Sequence, residues 1–264
     1  MNIIVCLKQV PHPDHFSEIV FDPVTKRLHR EGVPLVINPV DRNAITAGLE
    51  IKERFSGKLT ALTMCPPEAR EALEEALAIG ADEAVLLCDE AFAGADTLAT
   101  AYTLAVAIKK FYPFDLILCG NETIDSGTAQ VGPQLAEFLD IPHVTNVRAI
   151  DFSREDMLQV ERSLENGNMK VEVSLPALIA VNKNINEPRL PTVAGIMEVV
   201  QKEFKTFGLD DLGILPEQVG LLGSPTQMAW IVEVQSGRRG EVLRGEPGQV
   251  AREVIARLRE LHIL

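Results

Sequence analysis

The sequence has little of the positive charge and none of the long apolar runs that nucleic-acid-binding and membrane proteins need. It carries 25 Lys and Arg residues against 38 Asp and Glu residues, a formal net charge of −13. This acidic balance argues against binding nucleic acid or an anionic membrane surface. No run approaches the roughly 20 consecutive apolar residues of a membrane-spanning helix. The amino terminus begins like a strand and predicts no signal peptide, so we expect a cytoplasmic protein without membrane insertion.

Cysteine is scarce and histidine is isolated, which limits metal and nucleophile chemistry. The four cysteines are far apart and form no C-x-x-C motif; they are Cys6, Cys65, Cys88 and Cys119. An iron–sulfur or zinc site is therefore not expected. The pair His12 and His15 lacks an identifiable third ligand, and a solvated loop is the favoured interpretation. No Ser/His/Asp or Cys/His set can be assigned, and we predict neither catalytic residues nor a metal site.

The sequence does contain an alternation of unbroken apolar runs and amphipathic stretches. The apolar fraction of 46% is ample for a core. Unbroken apolar runs are typical of strands in a parallel sheet with helices on both faces, so an α/β, doubly wound, mostly parallel fold is predicted. The predicted strands cover 3–7, 59–64, 84–88, 116–119 and 177–181. The predicted helices cover 44–55, 68–79, 96–111 and 250–261, the first with Asp41 as its N-cap.

The second half of the chain departs from this alternation twice. Residues 157–162 and 169–175 alternate around the turn 165–168, which predicts a β-hairpin insertion. From about Gln201 the periodicity is lost and Gly and Pro recur, which predicts an extended carboxyl-terminal arm ending in a helix. Its apolar side chains indicate a partner surface, and they are Leu221, Leu222, Met228, Trp230 and Ile231. The predicted domains are therefore 1–200, a nucleotide-binding α/β domain, and 201–264, the arm.

The most informative segment runs from Leu116 to Leu139. Gly120 ends a strand, a small polar loop follows, and apolar residues at helical spacing begin near Val131. Because a proline is tolerated only in the first turn of a helix, Pro133 requires the helix to start near Thr128 or later. The backbone N–H groups of such a loop and helix start can bind an anion. No G-x-G-x-x-G or G-x-x-x-x-G-K-[ST] motif is present, so an ordinary strand–helix turn remains the alternative, and Asp125 is expected to cap a turn or hold another loop.

Two further segments carry weaker signals. Residues Asn38 to Asp41 follow a loop and open a helix, which fits either a turn with an N-cap or a nucleotide contact beyond the strand ends. Residues 186–193 contain two prolines that make a rigid exposed loop after the strand 177–181. That loop is either a domain-end turn or a recognition loop, with Pro191, Val193 and Ile196 as partner-docking residues.

Taken together, these segments resemble the β subunit of electron transfer flavoproteins over nearly the whole chain. The resemblance is carried by Ile4 to Val10, Asn38 to Asp41, Ala78 to Asp82, Gly120 to Pro133 and Asn186 to Arg189. The last two are the most specific. The resemblance implies an adenine-nucleotide-hydrolase-like topology and a heterodimer, in which the arm embraces an α subunit that carries one FAD. The redox partner at the recognition loop would be acyl-CoA dehydrogenase-like or another redox protein.

The resemblance also implies a second nucleotide in this subunit. Residues 128–133 and 220–226 look like the electron-bifurcating group, so FAD is favoured here, with NADH as its donor. An NADH-oxidising activity is expected only in that case. The contacts that carry over from the family are Cys6, Asn38, Pro39, Val40, Asp41, Cys65, Gly120, Asn121, Glu122, Thr123, Ile124, Asp125, Ser126, Gly127, Thr128, Ala129, Gln130 and Val131.

Three alternatives stay open. The first is a plain electron carrier whose β subunit holds a structural AMP and accepts electrons from acyl-CoA dehydrogenases. The second is a stand-alone nucleotide-binding module, which predicts a folded monomer and is disfavoured by the arm. The third is an ATP-pyrophosphatase-like enzyme, whose S-G-G-x-D-S loop is missing after the first strand, where Lys8 to Pro11 stand.

Overall fold

The computed structural model describes residues 1–22, 27–29, 32–110, 113–154, 156–227, 240 and 242–264. The chain divides into two compact units, Met1–Ala229 and Trp230–Leu264. The strands within the described ranges are β1 Asn2–Cys6, β2 Gln9–Pro11, β3 Val20–Asp22, β4 Arg27–His29, β5 Leu35–Ile37, β6 Lys58–Met64, β7 Glu83–Leu87, β8 Leu116–Gly120, β9 His143–Arg154, β10 Met157–Leu164, β11 Gly167–Ser174, β12 Ala177–Val181 and β13 Glu203–Phe207.

The α-helices alternate with the parallel strands. Within the same ranges they are α1 Pro39–Phe55, α2 Arg70–Ile79, α3 Thr97–Lys109, α4 Val131–Leu139, α5 Val193–Glu198, α6 Leu209–Leu212 and α7 Pro247–Glu260. Short 3-10 turns occupy Pro13–Glu18, Pro67–Ala69, Glu90–Phe92, Val199–Gln201 and Pro216–Gln218. None of these described helices is long and apolar enough to cross a membrane.

One large sheet organises the first unit. Its strand order in the described part of the chain is β11-β10-β9-β12-β8-β1-β6-β7-β13. In the sheet order from β9 through β12, β8, β1, β6 and β7 to β13, all neighbouring strands are parallel. Strand β10 is antiparallel to both of its neighbours. The predicted α/β fold with a mostly parallel sheet is therefore confirmed, and the predicted hairpin corresponds to β10 and β11.

Both faces of the sheet are buried, which explains the unbroken apolar strands. Alternate side chains of β1 face opposite sides: Ile3 and Val5 pack into the core shared with α1 and α2. Ile4 and Cys6 pack into the core shared with α3 and α4. Each strand residue therefore lies against a helix layer whichever way it points.

The first unit continues past residue 200, to Ala229. Strand β13 pairs with β7 at the edge of the sheet. Its Lys205 and the Lys58 side chain of β6 both form ion pairs with Glu83, which is 1% exposed. Leu212, Ile214 and Val219 are also buried in this unit. The pattern of a short, charged edge strand resembles that of a loop, so the sequence alone does not distinguish β13 from irregular chain.

The remaining differences concern where elements begin. Helix α1 starts at Pro39 with Asn38 as its N-cap, so the predicted N-cap role of Asp41 is wrong. Strand β9 was not predicted. Helix α4 starts at Val131 with Pro133 in its first turn, as Pro133 required. In the second unit, α7 forms within three residues of the predicted bounds and has no buried residue. Met228, Trp230 and Ile231 lie outside the described residues.

Candidate functional site

The strand order reverses between β1 and β8. After β1 the chain passes through α1 to β6 on one side, and after β8 it passes through α4 to β9 on the other. The carboxyl ends of the two strands are neighbours, with Cys6 opposite Cys119. Ligands of open α/β sheets bind in the crevice at such a point. Most of the predicted binding residues meet here, and Cys65 follows the adjacent strand β6.

Asp41 fastens the two strands at the base of this crevice. Its carboxylate accepts a hydrogen bond from the backbone N–H of Lys8 at 2.8 Å and another from the backbone N–H of Gly120 at 2.9 Å. Asp41 is only 4% exposed. Burial raises its pKa to about 7, against the opposing effect of the hydrogen bonds. From the first turn of α1, the Asp41 carboxylate therefore accepts hydrogen bonds from the backbone at the ends of both strands.

Gly120 is required by this contact. A Cβ atom at this position would lie 2.4 Å from Oδ1 of Asp41, a separation that would push the carboxylate away from both strands. The glycine that ends β8 therefore allows Asp41 to reach the backbone of β8.

Asn38 joins the start of α1 to the site loop, which we define as residues 121–130. Its Nδ2 donates to the carbonyl oxygen of Glu122 at 3.0 Å, and its Oδ1 accepts from the N–H of Ile124 at 3.2 Å. Asn38 is fully buried. An amide that donates to and accepts from the same loop fixes its position in both directions.

Lys8 and Asp125 tie the site loop to the end of β1. Nζ of Lys8 lies 2.7 Å from Oδ2 and 2.9 Å from Oδ1 of Asp125. The Asp125 side chain is 7% exposed and that of Lys8 37%. The expectation that Asp125 holds another loop is thus confirmed. Lys8 is a residue that the sequence analysis did not select.

The site loop closes on itself and then opens towards solvent. Gly127 donates its N–H to the carbonyl oxygen of Thr123 at 2.8 Å, and the hydroxyls of Thr123 and Ser126 lie 2.8 Å apart. Gly127 has φ +58° and Ala129 has φ +53°. A Cβ atom at Gly127 would meet only the oxygen of Thr123, at 3.9 Å. The glycine therefore lies against open space.

The last residues of the site loop present backbone donors. In the part of the chain that the structure describes, the N–H groups of Thr128, Ala129 and Gln130 make no hydrogen bond. They precede the first turn of α4, where the helix dipole favours negative charge. The side chain of Gln130 accepts from the hydroxyl of Thr97, at the start of α3, at 3.1 Å. Three successive free amides at a helix start form a cradle suited to a phosphate.

Burial removes the thiols of Cys6 and Cys119 from acid–base chemistry near neutral pH. Desolvation, followed by the charge of Asp41, raises the pKa of Cys6 to about 12. Cys119 is raised well above its usual range, mainly by desolvation. Within the described ranges, no group of three or more His, Cys, Asp or Glu side chains is placed to hold a metal ion.

The predicted docking residues lie apart from the crevice, on the apolar segment, which we define as residues 186–202. Its exposed side chains include Val193 at 78%, Ile196 at 58%, Met197 at 71% and Val200 at 88%. Pro191 is half-buried. Thr192 caps α5 by accepting from the N–H of Gly195 at 3.0 Å.

The backbone of the apolar segment is held firmly. A Cβ atom on Gly195 would lie 2.1 Å from the carbonyl oxygen of Ala78, so the segment lies directly on the end of α2. Nζ of Lys202 donates to the carbonyl oxygens of Leu77 and Ala81, at 2.7 and 2.8 Å. The apolar side chains are thus displayed on a fixed support.

Sequence reasoning missed the contacts between the apolar segment and α1. Nδ2 of Asn43 donates to the carbonyl oxygen of Asn186 at 2.9 Å, and Nδ2 of Asn186 returns a bond to the carbonyl oxygen of Asn43 at 3.1 Å. Arg189 forms a two-point ion pair with Glu53. The one available signal was Asn43, a polar residue on the apolar face of α1.

The chain is similar to known proteins over its whole length. Residues 25–212 match the Electron transfer flavoprotein domain family. The chain is 46% identical to the electron transfer flavoprotein subunit beta of Thermoanaerobacterium thermosaccharolyticum, over the full length of both. It is 43% identical to the caffeyl-CoA reductase-Etf complex subunit CarD of Acetobacterium woodii. It is 37% identical to the acryloyl-CoA reductase electron transfer subunit gamma of Anaerotignum propionicum. Both of these matches also span the full length of each chain.

Proposed function

Because the chain belongs to the electron transfer flavoprotein family, as a β subunit, we propose that it binds FAD at the β1–β8 crevice and works as one half of a heterodimer with an α subunit. Its role is electron transfer. The observation that carries the FAD proposal is the set of free amides at Thr128, Ala129 and Gln130. The earlier part of the same loop is held by the hydrogen bonds of Asn38 and Lys8.

The residues present fit the phosphate part of such a nucleotide. The amides of residues 128–130 would receive the pyrophosphate, and Gly127 leaves room for its approach because no side chain fills that space. Thr123 and Asp125 would shape the wall near the ribose or ring. When bound, the flavin supplies the electron-carrying chemistry, whereas these residues bind it, orient it and set its surroundings.

FAD is favoured over AMP because a second segment with the bifurcating pattern borders the same loop. Thr226 donates its N–H to Asp96 at 3.0 Å and its hydroxyl at 2.7 Å, and the N–H of Asp96 donates to Ser224. The next residue, Thr97, reaches Gln130 of the site loop. Residues 224–226 are therefore linked to the phosphate cradle through Asp96 and Thr97 at the start of α3. NADH would be the donor to this flavin.

Two surfaces would serve the partners. The exposed side chains of the apolar segment would dock an acyl-CoA dehydrogenase-like or other redox protein. The second unit, with an amphipathic α7 that buries none of its residues, would embrace the α subunit. The relatives named as parts of reductase complexes support a role inside such an assembly.

Nucleotide content separates the two main candidates. The chain is co-expressed with its α subunit, and the nucleotides released from the purified heterodimer by acid are quantified. Two FAD per heterodimer, both reduced by NADH under anaerobic conditions, is the expected result. One FAD with one AMP would reject the FAD proposal for this subunit and establish the plain carrier. A folded monomer that does not bind the α subunit would instead support the stand-alone nucleotide-binding module.

A further inference from the structure

The four cysteines form two cross-strand pairs at the carboxyl edge of the sheet. Cys6 and Cys119 are register partners on β1 and β8. The register of β6 with β7 ends at the pair Met64 and Leu87. The next residues of these two strands are Cys65 and Cys88, and all four cysteines are free.

Cys65 and Cys88 point to the same face of the sheet. Both pack against the core shared with α1 and α2. The backbone N–H of Cys65 donates to the carbonyl oxygen of Leu87 at 3.1 Å, so the ladder still holds the strands together at this level. Neighbouring strands lie about 4.8 Å apart, and a disulfide bridges Cα atoms separated by about 4.4–6.8 Å. The two residues therefore meet the backbone requirement for a disulfide without rearrangement of the strands.

The two pairs differ in exposure. Cys6 and Cys119 are 8% and 9% exposed, whereas Cys65 and Cys88 are half-buried. Burial, followed by the charges of Asp89, Glu68 and Cys65, raises the pKa of Cys88. A raised pKa disfavours the thiolate of Cys88, and the first attack on an oxidant is therefore assigned to Cys65.

We propose that Cys65 and Cys88 form a dithiol that a peroxide converts to a disulfide, while Cys6 and Cys119 stay reduced. The Cys65 thiolate attacks one peroxide oxygen, the O–O bond breaks, and after proton uptake a sulfenic acid and one water are formed. Sγ of Cys88 then attacks the sulfenic sulfur, and the hydroxyl leaves as a second water with the Cys88 proton. Two thiols and one hydrogen peroxide thus give one disulfide and two waters.

Cys65 is also one of the predicted nucleotide contacts, but the two cysteines are neighbours at the ends of β6 and β7 whether the crevice holds FAD or AMP. The test treats the purified chain with hydrogen peroxide, blocks remaining thiols with N-ethylmaleimide under denaturing conditions, and maps peptides by mass spectrometry. The expected result is one linked peptide pair, Cys65 with Cys88, two hydrogens lighter than the sum of the reduced peptides. The thiol titre of the unfolded chain falls from the four cysteines of the sequence to two.

Matched variants make the outcome decisive. Cys65→Ser and Cys88→Ser should each abolish the linked peptide, and Cys119→Ala should leave it unchanged. Phenylarsine oxide, which bridges two close thiols, should bind the untreated wild type at one equivalent and neither serine variant. A folded chain in which Cys65 and Cys88 end as separate sulfinic acids, or in which Cys6 links to Cys119 instead, would overturn the proposal.

Discussion

Two segments leave neighbouring strands at the same edge of the sheet and differ in what they present. The site loop follows β8, and the apolar segment follows β12, which pairs with β8. The site loop is held by buried polar side chains and turns free amides outward. The apolar segment is held by close backbone packing and turns exposed aliphatic side chains outward. Both segments therefore have a fixed backbone. They differ in the groups that face outward, which suit a small anionic ligand in the site loop and a protein partner in the apolar segment.

The largest effect is expected at the base of the crevice. Replacing Asp41 with alanine leaves the N–H groups of Lys8 and Gly120 without their acceptor. Each buried donor left unpaired costs about 1–3 kcal/mol, so Asp41→Ala should lower the free energy of unfolding by about 3 kcal/mol. Urea denaturation followed by circular dichroism at pH 6 measures it. A loss below about 1 kcal/mol would show that the carboxylate does not fasten the strands.

The same residue should give the crevice a distinctive pH dependence. Burial raises the pKa of Asp41 from 3.8 to about 7. A group whose pKa is higher in the folded state stabilises the fold fully at pH values below its unfolded-state pKa. This stabilisation is lost as the pH rises through its folded-state pKa. The free energy of unfolding should therefore fall between about pH 4 and pH 7 in the wild type, with a weaker fall in Asp41→Asn. Parallel pH curves for the two proteins would contradict this account.

The next effect is expected where the apolar segment lies on α2. Gly195→Ala places a methyl group in the position of the Ala78 carbonyl, and overpacking of this kind costs about 2 kcal/mol. Urea denaturation gives the loss, and hydrogen exchange should show faster exchange of the amides at 192–202. Gly248→Ala is the matched control, because it lies in α7 with open space around it. Equal stability of Gly195→Ala and Gly248→Ala would show that the apolar segment does not pack closely on α2.

A smaller effect is expected at Lys202. Lys202→Met keeps the apolar stem but removes the two hydrogen bonds to the carbonyl oxygens of Leu77 and Ala81. The free energy of unfolding should fall by about 1 kcal/mol, while the exposed Lys183→Met should leave it unchanged. If both substitutions have the same effect on urea denaturation, the ammonium does not anchor the segment.

The smallest effect separates the two regions by the sign of their pH dependence. The hydrogen bond from Arg189 holds the pKa of Glu53 below its usual value of 4.5. A lowered folded-state pKa contributes stability that is present above the unfolded value and is lost as the pH falls through the folded value. For this exposed pair, Arg189→Gln should cost about 0.5 kcal/mol at pH 7. The cost should vanish near pH 3; a cost that persists there would assign Arg189 a packing role.

The sequence predicted the elements whose pattern is local. The central strands have both faces buried, so their apolar runs are unbroken. Pro133 limited the start of α4 to near Thr128 or later, and the helix starts at Val131. Strand β9 was missed because Asn146, at φ +57°, and register shifts against β10 interrupt its alternation. The five-residue edge strand β13 mixes lysine, glutamate and phenylalanine and carries too short a pattern to be recognised.

The candidate site divides in the same way. The segments 38–41 and 120–131 were selected from local signals and from the family resemblance. Their connections were not, because Lys8 and Asp125 are 117 residues apart and Asn43 and Asn186 are 143 apart. The periodicity of apolar residues does not predict contacts between residues so far apart in the chain. For the same reason Asp41 was predicted to cap a helix, whereas its partners are Lys8, just after β1, and Gly120, at the end of β8.

One substitution shows whether the site loop holds the nucleotide of this subunit. Gly127→Leu fills the open space beside the free amides, and Gly213→Leu is its control, since both glycines have positive φ and open surroundings. Nucleotides released from each purified heterodimer are counted. The account predicts that Gly127→Leu loses one nucleotide per heterodimer while Gly213→Leu keeps both. Unchanged nucleotide content in a folded Gly127→Leu heterodimer would contradict it.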